Sequence, residues 1–169
     1  MKAARRRGVQ TRLMRDADVP VVFLGYQKGA FSKLTDEAEN LRDLELPSFR
    51  SDVLAPFAAA GEMWITLAKS HKFKDRDRVP VALWWAVYRQ PHLIEPYPVW
   101  MPWATPRHKI EAALSFILVH RVEREIGIFG EPGQEAFLRR LAQYGVLRRI
   151  GKWEAYFANG DTAEVWRAC

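Results

Sequence analysis

The chain has 169 residues, of which 49% are hydrophobic and 27% are charged. This length fits one domain that can bury a full core, and a single cysteine, Cys169, excludes a disulfide framework and a thiolate metal site. No apolar run reaches the roughly 18 to 20 residues that cross a bilayer, and the N-terminus lacks the apolar core of a signal peptide, so we predict a cytoplasmic protein.

The net charge of +6 is concentrated at the N-terminus. Residues 1–15 contain no acid, while the rest of the chain has equal numbers of acids and bases. The basic residues of this segment are Lys2, Arg5, Arg6, Arg7, Arg12 and Arg15. A basic arm on a neutral body is typical of tails that contact an acidic partner or nucleic acid, although a solvated terminus has the same composition. We therefore predict a basic arm over residues 1–15 and one domain over residues 16–169.

The first half of the chain predicts a strand, helices and a meander. Residues 10–14 can form a short strand, and Asp16-Ala17-Asp18 followed by Pro20 predicts a helix that runs on to Phe31. Residues 36–44 predict a surface helix, and residues 51–61 an Ala-rich helix that Pro56 breaks and Gly61 ends. Residues 62–69 and 79–89 read as strands around a charged connection. The second strand is apolar on both faces, which indicates a central, covered position.

The segment from Leu93 to Glu131 predicts a strand, a turn, a helix and a second strand. Pro96 and Pro98 each remove a hydrogen-bond donor from the first strand and confine it to irregular or edge pairing. Thr105 is a good N-cap and Pro106 a good first residue for the helix, whose apolar residues recur at helical spacing. Residues 125–130 form a short apolar run, as in a buried strand. In such βαβ units an anion can bind at the junction of strand and helix.

The C-terminal part predicts a helix and a hairpin. The helix begins near residue 134 and ends at Tyr144-Gly145. The hairpin joins residues 153–157 to residues 162–167 through a tight turn at Asn159-Gly160. The predicted fold is α+β, with the order β-α-α-β-β-β-α-β-α-β-β.

This order resembles the GNAT superfamily of acyl-CoA-dependent N-acyltransferases. The resemblance covers most of residues 11–168 and includes Arg12-Leu13-Met14-Arg15-Asp16-Ala17-Asp18, similar to the family's first strand and helix start, and Gly145-Val146, where the family has Gly-Phe. It implies a mixed, mostly antiparallel central sheet flanked by helices. It also implies that acetyl-CoA would bind between the fourth strand and third helix, at Val99, Arg107, His108, Lys109 and Ile110.

The sequence departs from the family pattern at two places. The pattern Arg/Gln-x-x-Gly-x-Gly/Ala uses glycines so that backbone N–H groups can approach phosphate, but here His108, Ile110 and Ala112 occupy that stretch. The family's frequent general acid, a tyrosine, would fall at Leu141. If the chain is an enzyme, Glu95 or His92 is the candidate base, although an edge-strand charge and a turn histidine are the simpler interpretations.

Other chemistry has little support in the sequence. His71, His108 and His120 show no ligand spacing with one another, so no metal site is predicted. The seven tryptophans fall mostly on strands, which favours core packing over base stacking.

We therefore expect a non-catalytic GNAT-fold structural or assembly component that contacts other protein subunits through its basic arm and binds no cofactor. The chain also loosely resembles acetyltransferase-like internal virion proteins of short-tailed phages, which would place it in a virion. The alternatives are an N-acyltransferase that uses acetyl-CoA and a nucleic-acid-binding module driven by the arm, whose affinity would fall steeply with salt.

Overall fold

The strands of the computed structural model form one eight-stranded sheet with the order β1-β2-β3-β4-β5-β6-β8-β7. Neighbouring strands are antiparallel except β5 and β6, which are parallel. The strands are β1 (Arg5–Arg6), β2 (Val9–Leu13), β3 (Glu62–Ala68), β4 (Val79–Gln90), β5 (Leu93–Trp100), β6 (Glu125–Gly130), β7 (Leu147–Trp153) and β8 (Ala163–Ala168). The structure describes residues 5–6, 8–31, 44–69, 73, 77–90, 92–121, 124–130, 132–157 and 159–169, with the backbone alone for residues 5–6.

The helices flank this sheet. They are α1 (Val19–Gln27), α2 (Leu46–Ser48), α3 (Ala55–Ala60), α4 (Pro106–His120) and α5 (Glu135–Ala142), with a 3₁₀ turn at Asp16–Asp18 and a π-helical segment at Phe49–Leu54. Among the described residues, no helix is long and apolar enough to cross a membrane. The predicted fold class, a mixed, mostly antiparallel sheet flanked by helices, is confirmed.

Local differences from the predictions have physical reasons. Pro56 does not end the helix: the π-helical segment of residues 49–54 runs directly into α3, and its wider turn accommodates the missing N–H of the proline. Gly61 is not a left-handed cap, since its φ is −178°. A Cβ at Gly61 would lie 2.5 Å from the carbonyl oxygen of Ala86, so glycine is needed there for close packing of the backbone. The predicted helix over residues 36–44 and most of the predicted charged connection over residues 70–78 lie outside the described residues.

The closing hairpin also differs from its prediction. β7 ends at Trp153, four residues before the predicted end, and a loop of residues 154–162 leads to β8. Ala155 in this loop has a φ of +50°, which a regular strand cannot accommodate. Tyr156 and Phe157 are therefore placed by the loop instead of by strand alternation.

Adjacent tryptophans on β4 show which helices cover each face of the sheet. Trp84 stacks on Phe116 of α4, with ring centroids 4.6 Å apart. Trp85 contacts Phe57 of α3 on the opposite face, at 4.9 Å. Because side chains alternate along a strand, α4 and α3 lie on opposite faces of β4, and this strand is central and covered as predicted.

A buried network of hydroxyl groups attaches α4 to the sheet. The Thr11 hydroxyl on β2 lies 2.8 Å from both the Ser115 hydroxyl of α4 and the Thr66 hydroxyl of β3, and the indole N–H of Trp84 donates to Thr66 at 2.9 Å. Thr11, Thr66 and Ser115 are 0% exposed. Buried hydroxyl groups need such partners, so this network fixes the position of α4 relative to three strands.

Candidate functional site

β5 and β6 separate after two residue pairs and leave a cleft in the sheet. In the described chain they pair only at Leu93 with Glu125 and at Ile94 with Ile126. The backbone N–H of Met101 donates to the carbonyl of Val81 on β4 at 3.1 Å. Because hydrogen-bonded and non-bonded pairs alternate in an antiparallel ladder, the backbone groups of the even-numbered residues of β5 face β6.

Proline explains where the ladder ends. Pro96 is the next residue after Ile94 whose N–H would have to donate to β6, and proline has none. Pro98, two residues further on, repeats the interruption. The prediction that these prolines confine β5 to irregular pairing is therefore confirmed at the edge that faces β6, while pairing with β4 continues through both residues.

The cleft opens into a cavity of about 520 Å³. Trp84, Trp100 and Phe116 line it on the α4 face of the sheet, and Glu95 and Tyr97 line it on the opposite face. Further lining comes from α5, β6 and the β7–β8 loop, at Phe137, Leu138, Leu141, Ile128, Phe129, Tyr156 and Phe157. The cavity thus passes through the sheet, so one ligand can approach from each face.

A buried carboxylate lies on the side of the cavity away from α4. Glu95 is 3% exposed and accepts three hydrogen bonds. Its Oε1 accepts from the hydroxyl groups of Tyr97 at 2.6 Å and Tyr156 at 3.0 Å, and its Oε2 accepts from Nε of Arg89 at 2.6 Å. The Tyr156 contact crosses the cleft, because Tyr156 belongs to the β7–β8 loop and stacks on Phe129 of β6 at 4.4 Å.

Both tyrosines are held in their protonated form. Burial raises the pKa of Tyr97, and the neighbouring Glu95 carboxylate raises it further. Burial and Glu95 also raise the pKa of Tyr156. Each phenol therefore keeps its proton directed at Glu95. The hydrogen bond from Arg89 to Glu95 keeps the guanidinium charged by raising its pKa.

Basic side chains lie at the N-terminal end of α4. Lys109 lines the cavity, and its Nζ is 5.8 Å from the centroid of the Trp100 ring. Arg107 is paired with Glu111 at 2.7 Å and its side chain is 83% exposed. Thr105 and His108 form a reciprocal cap in which the His108 N–H donates to the Thr105 hydroxyl oxygen at 3.2 Å, and the Thr105 N–H donates to Nδ1 of His108 at 3.3 Å.

A second groove of about 740 Å³ runs between α4 and α5. Arg107, Ile110, Arg140 and Tyr144 are among its lining residues, and the guanidinium of Arg140 lies 5.9 Å from the centroid of the Tyr144 ring. Tyr144 is 48% exposed. The groove therefore combines two guanidinium groups with an accessible aromatic ring beside the first turns of α4.

The structure separates the residues that the sequence proposed for the site. Glu95 and Lys109 line the cavity, and Arg107 and Ile110 line the groove. His92 is exposed and is not among the residues that line the cavity; its carbonyl accepts from the N–H of Glu125 at 2.7 Å. Val99 is buried on the same strand face as Glu95, likewise outside the cavity lining. Ile110 and Ala112 lie inside α4, beyond the turn of residues 101–105 that leads into the helix.

Sequence reasoning missed Tyr97 and Tyr156. Tyr97 is two residues from Glu95 on β5, so strand alternation could have placed the two together. Tyr156 is 61 residues from Glu95 and was assigned to a strand, so no local pattern indicated the contact. Leu141, which occupies the expected tyrosine position, contributes an apolar wall to the cavity.

The basic N-terminal segment is partly integrated into the fold. β2 pairs with β3, and Arg12 forms two hydrogen bonds with Asp18 at 2.7 and 2.8 Å. Lys2 and Arg7 lie outside the described residues, and only the backbone is described for Arg5 and Arg6, which form β1. Docking of a partner or nucleic acid by the arm stays a prediction. Within the described residues, no three His, Cys, Asp or Glu side chains are grouped as metal ligands would be.

Comparison with solved structures supports the fold assignment. The structure is similar to a GCN5-related N-acetyltransferase from Brucella melitensis, with a TM-score of 0.62, 14% identity, and coverage of 99% of this chain and 78% of that one. It is also similar to RimL, a ribosomal L7/L12 alpha-N-protein acetyltransferase in complex with coenzyme A, with a TM-score of 0.63, 10% identity, and coverage of 96% and 93%. A third similar structure is a GNAT superfamily phosphinothricin acetyltransferase from Sinorhizobium meliloti in complex with acetyl-CoA, with a TM-score of 0.59, 14% identity, and coverage of 95% and 88%.

No protein-family model matches the sequence, and no curated protein sequence matches it. At these identities the structural likeness shows the GNAT fold. The expectation of a non-catalytic structural component was wrong: these similar structures are acetyltransferases, two of them with coenzyme A or acetyl-CoA bound. That expectation relied on the departures from the family pattern at His108, Ile110 and Leu141, whereas the cleft between β5 and β6 is open. The comparisons give no support to the resemblance to internal virion proteins.

Proposed function

We propose that this chain is an acyl-CoA-dependent N-acyltransferase. The observation that carries the proposal is the cavity that passes through the sheet where β5 and β6 separate, with a buried carboxylate network on one side. Acyl transfer between two substrates needs such a passage, because the donor and the acceptor must meet while each is held by its own surface. The acetyltransferases of similar structure, with their bound coenzyme A or acetyl-CoA, support the same proposal.

The residues present fit coenzyme A in shape and charge. The cavity and the groove lie on either side of the N-terminal half of α4. Together they offer apolar walls, the ammonium of Lys109 and the guanidinium groups of Arg107 and Arg140, of which Arg107 must exchange its pairing with Glu111 for a phosphate. When bound, an acyl-CoA supplies the activated thioester whose acyl group is transferred. We assign the phosphates to Lys109, Arg107 and Arg140, and the adenine ring to the exposed face of Tyr144.

The residues do not fit a backbone phosphate nest. Pro106 has no N–H, and the N–H groups of Thr105 and His108 are used by their reciprocal cap. The N–H of Lys109 donates to the Thr105 carbonyl. Side-chain cations must therefore carry most of the phosphate binding, which makes the affinity sensitive to salt.

The side of the cavity away from α4, where we place the acceptor amine, has groups that can take up a proton. As the acceptor nitrogen bonds to the acyl carbon and the carbon–sulfur bond breaks, the sulfur leaves as a thiolate that takes a proton from water, and the nitrogen must lose a proton. The Tyr156 oxygen can accept that proton while its own hydroxyl proton moves to Oε1 of Glu95, over the existing 3.0 Å hydrogen bond. Since the pKa of Tyr156 is raised, a free phenolate is disfavoured and the two proton transfers must be coupled. Glu95 is thus the base that acts through Tyr156, and Arg89 orients it.

Titration calorimetry with acetyl-CoA tests the proposal. We expect saturable binding in the micromolar range, weakened by higher salt. A second assay follows the release of free thiol from acetyl-CoA in the presence of a panel of primary amines. Absence of any heat at millimolar acetyl-CoA would contradict the proposal. Binding that survives unchanged in a variant with Lys109, Arg107 and Arg140 all replaced by alanine would contradict the assignment of the phosphates to these residues.

A further inference from the structure

Strand register places two arginines on the same sheet face as Glu95. β5 and β6 are still paired one residue before Glu95, so Glu95 and Gly127 lie side by side and point to one face. Gly127 is paired with Arg167 of β8, and Arg167 is paired with Arg148 of β7. These four residues therefore form one row across the sheet. Because neighbouring strands are about 4.8 Å apart, the backbone of Arg167 lies about 10 Å from that of Glu95, and the backbone of Arg148 about 15 Å from it.

The sheet face around the two arginines is open. α4 contacts β6 and α5 contacts β7, and both helices lie on the opposite face. Arg148 is exposed, and the side chain of Arg167 is 40% exposed. Trp153 of β7, whose ring lies 6.0 Å from that of Phe129 on this face, is 57% exposed. Arg148, Trp153 and Arg167 therefore form an open shelf beside the cleft.

The shelf carries a positive charge that the described residues do not neutralise. Arg148 and Arg167 are directly opposite each other, and like charges in this position destabilise a sheet. Arg167 lies 3.5 Å from the exposed carboxylate of Glu125, whereas Arg148 has no ion pair with any described residue. On the other face of β7, by contrast, Arg149 lies 3.4 Å from Glu164. The shelf thus has one unneutralised guanidinium, which an anion from outside the chain can compensate.

The surface between Glu95 and the arginines is low and apolar. Gly127 has no side chain, and a Cβ at this position would lie 3.3 Å from Cδ1 of Leu93 and 4.0 Å from the ring of Phe129. Both of these side chains are half-buried, so part of each faces the surface. An extended apolar chain can therefore lie over them, with one end at the Tyr156 hydroxyl and the other at the arginines.

We infer that Arg148 and Arg167 bind a carboxylate of the acceptor, so that the acceptor is an amine with a carboxylate about 10 Å from its reacting nitrogen. This inference deepens the proposed function and rests on it for the reaction. Guanidinium groups suit this role, because they hold carboxylates through paired N–H donors. The single unneutralised guanidinium matches the single charge of a carboxylate better than the double charge of a phosphate. With its amine at Tyr156 and its carboxylate at the arginines, such an acceptor is held at both ends.

Thiol release from acetyl-CoA tests the inference with two series of acceptors. The first series compares straight-chain ω-amino carboxylates with alkylamines of equal length, and the second compares short peptides whose third residue is glutamate or glutamine. Either series can supply the carboxylate, and the series with the larger preference for the acid identifies the source. The KM of an acid of the matching length should be about tenfold lower than that of its neutral counterpart, as for one hydrogen bond to a charged group at an exposed site.

Arg148→Gln should remove most of this preference. Arg149→Gln is the matched control, because it removes the same charge from the same strand on the opposite face, and it should keep the preference. Equal KM values for acids and their neutral counterparts in both series of the native protein would overturn the inference. A preference that survives when Arg148 and Arg167 are both replaced by glutamine would overturn it as well.

An NMR titration keeps the inference separate from the proposed function. When the preferred acid is added to the protein without any acyl-CoA, the Nε–H signals of Arg148 and Arg167 should shift saturably, and the Nε–H signal of Arg149 should not. Absence of these shifts for the acids of both series would overturn the inference, whether or not the protein transfers acyl groups. Saturable shifts without thiol release from any acceptor would contradict the proposed function alone.

Discussion

Replacing Glu95 by glutamine tests the chemistry at the centre of the cleft. The carboxylate accepts from Tyr97, Tyr156 and Arg89 at 2.6, 3.0 and 2.6 Å. A glutamine oxygen can keep both tyrosine hydrogen bonds, but its NH₂ group would face the Arg89 donor. Hydrogen bonds to charged groups contribute about 1.5 to 3 kcal/mol. Because the Arg89 side chain is 54% exposed and can turn to water, we expect Glu95→Gln to lower the free energy of unfolding by about 1 to 2 kcal/mol.

The effect on catalysis should be much larger than the effect on folding. Loss of a general base typically lowers kcat by about 10² to 10⁴-fold. Urea denaturation followed by circular dichroism gives the stability, and thiol release with a primary amine gives kcat. Arg89→Met removes the same hydrogen bond but keeps the carboxylate, so it should lower the free energy of unfolding by a similar amount and lower kcat less than Glu95→Gln does. A Glu95→Gln enzyme that retains kcat within threefold of the native value would refute the role of Glu95 as base. An unchanged free energy of unfolding would refute the hydrogen-bond reasoning.

Three further predictions concern other parts of the structure. Burial lowers the pKa of His120 to about 4, below the value of about 6.5 in the unfolded chain, so the unfolded state takes up the proton first as the pH falls. The free energy of unfolding is therefore retained above about pH 6.5 and falls by about 3 kcal/mol as the pH falls toward 4. In urea denaturation at pH 7 and pH 4.5, His120→Leu should remove this part of the pH dependence. An unchanged dependence would show that His120 does not cause it. Lys109→Ala should weaken acetyl-CoA binding by about five- to tenfold and reduce the salt dependence of binding. Lys152→Ala, which removes an exposed lysine elsewhere, is the control. Equal effects of the two substitutions would show a nonspecific effect of charge. Pro96→Ala restores the N–H that β5 needs to continue its ladder with β6. The new backbone amide at position 96 should therefore exchange its hydrogen slowly, and the cleft should narrow. Rapid hydrogen exchange of that amide would show that another constraint separates the strands.

Local chemistry allowed most of the fold to be predicted. Thr105 and Pro106 are found at the N-cap and first turn of α4 because capping depends only on neighbouring residues. The prolines of β5 likewise act through their own missing N–H groups. The length of the β7–β8 loop was missed, because a tight Asn-Gly turn and the longer loop of residues 154–162 share the same residues, and tertiary contacts of Tyr156 decide between them.

The candidate site was harder to predict than the fold. Glu95 was identified as a candidate base, yet its partners come from β4, β5 and a loop 61 residues away, and none of these contacts follows from spacing in the sequence. The expectation of a non-catalytic role failed for a similar reason. It compared residue types with a family pattern at Ile110, whereas the width of the cleft depends on where the β5–β6 ladder ends.

The short contact between β5 and β6 also has a mechanical consequence. Strands β1–β5 and β6–β8 form two ladders that, within the described chain, are connected by only two residue pairs, both at the closed end of the cleft. Rotation of one ladder against the other about this connection changes the distance between Trp100 and Gly130 without breaking any hydrogen bond inside either ladder. The two ladders can therefore move relative to each other about this connection, and such a movement would strain the hydrogen bond from Tyr156 to Glu95, which crosses the cleft.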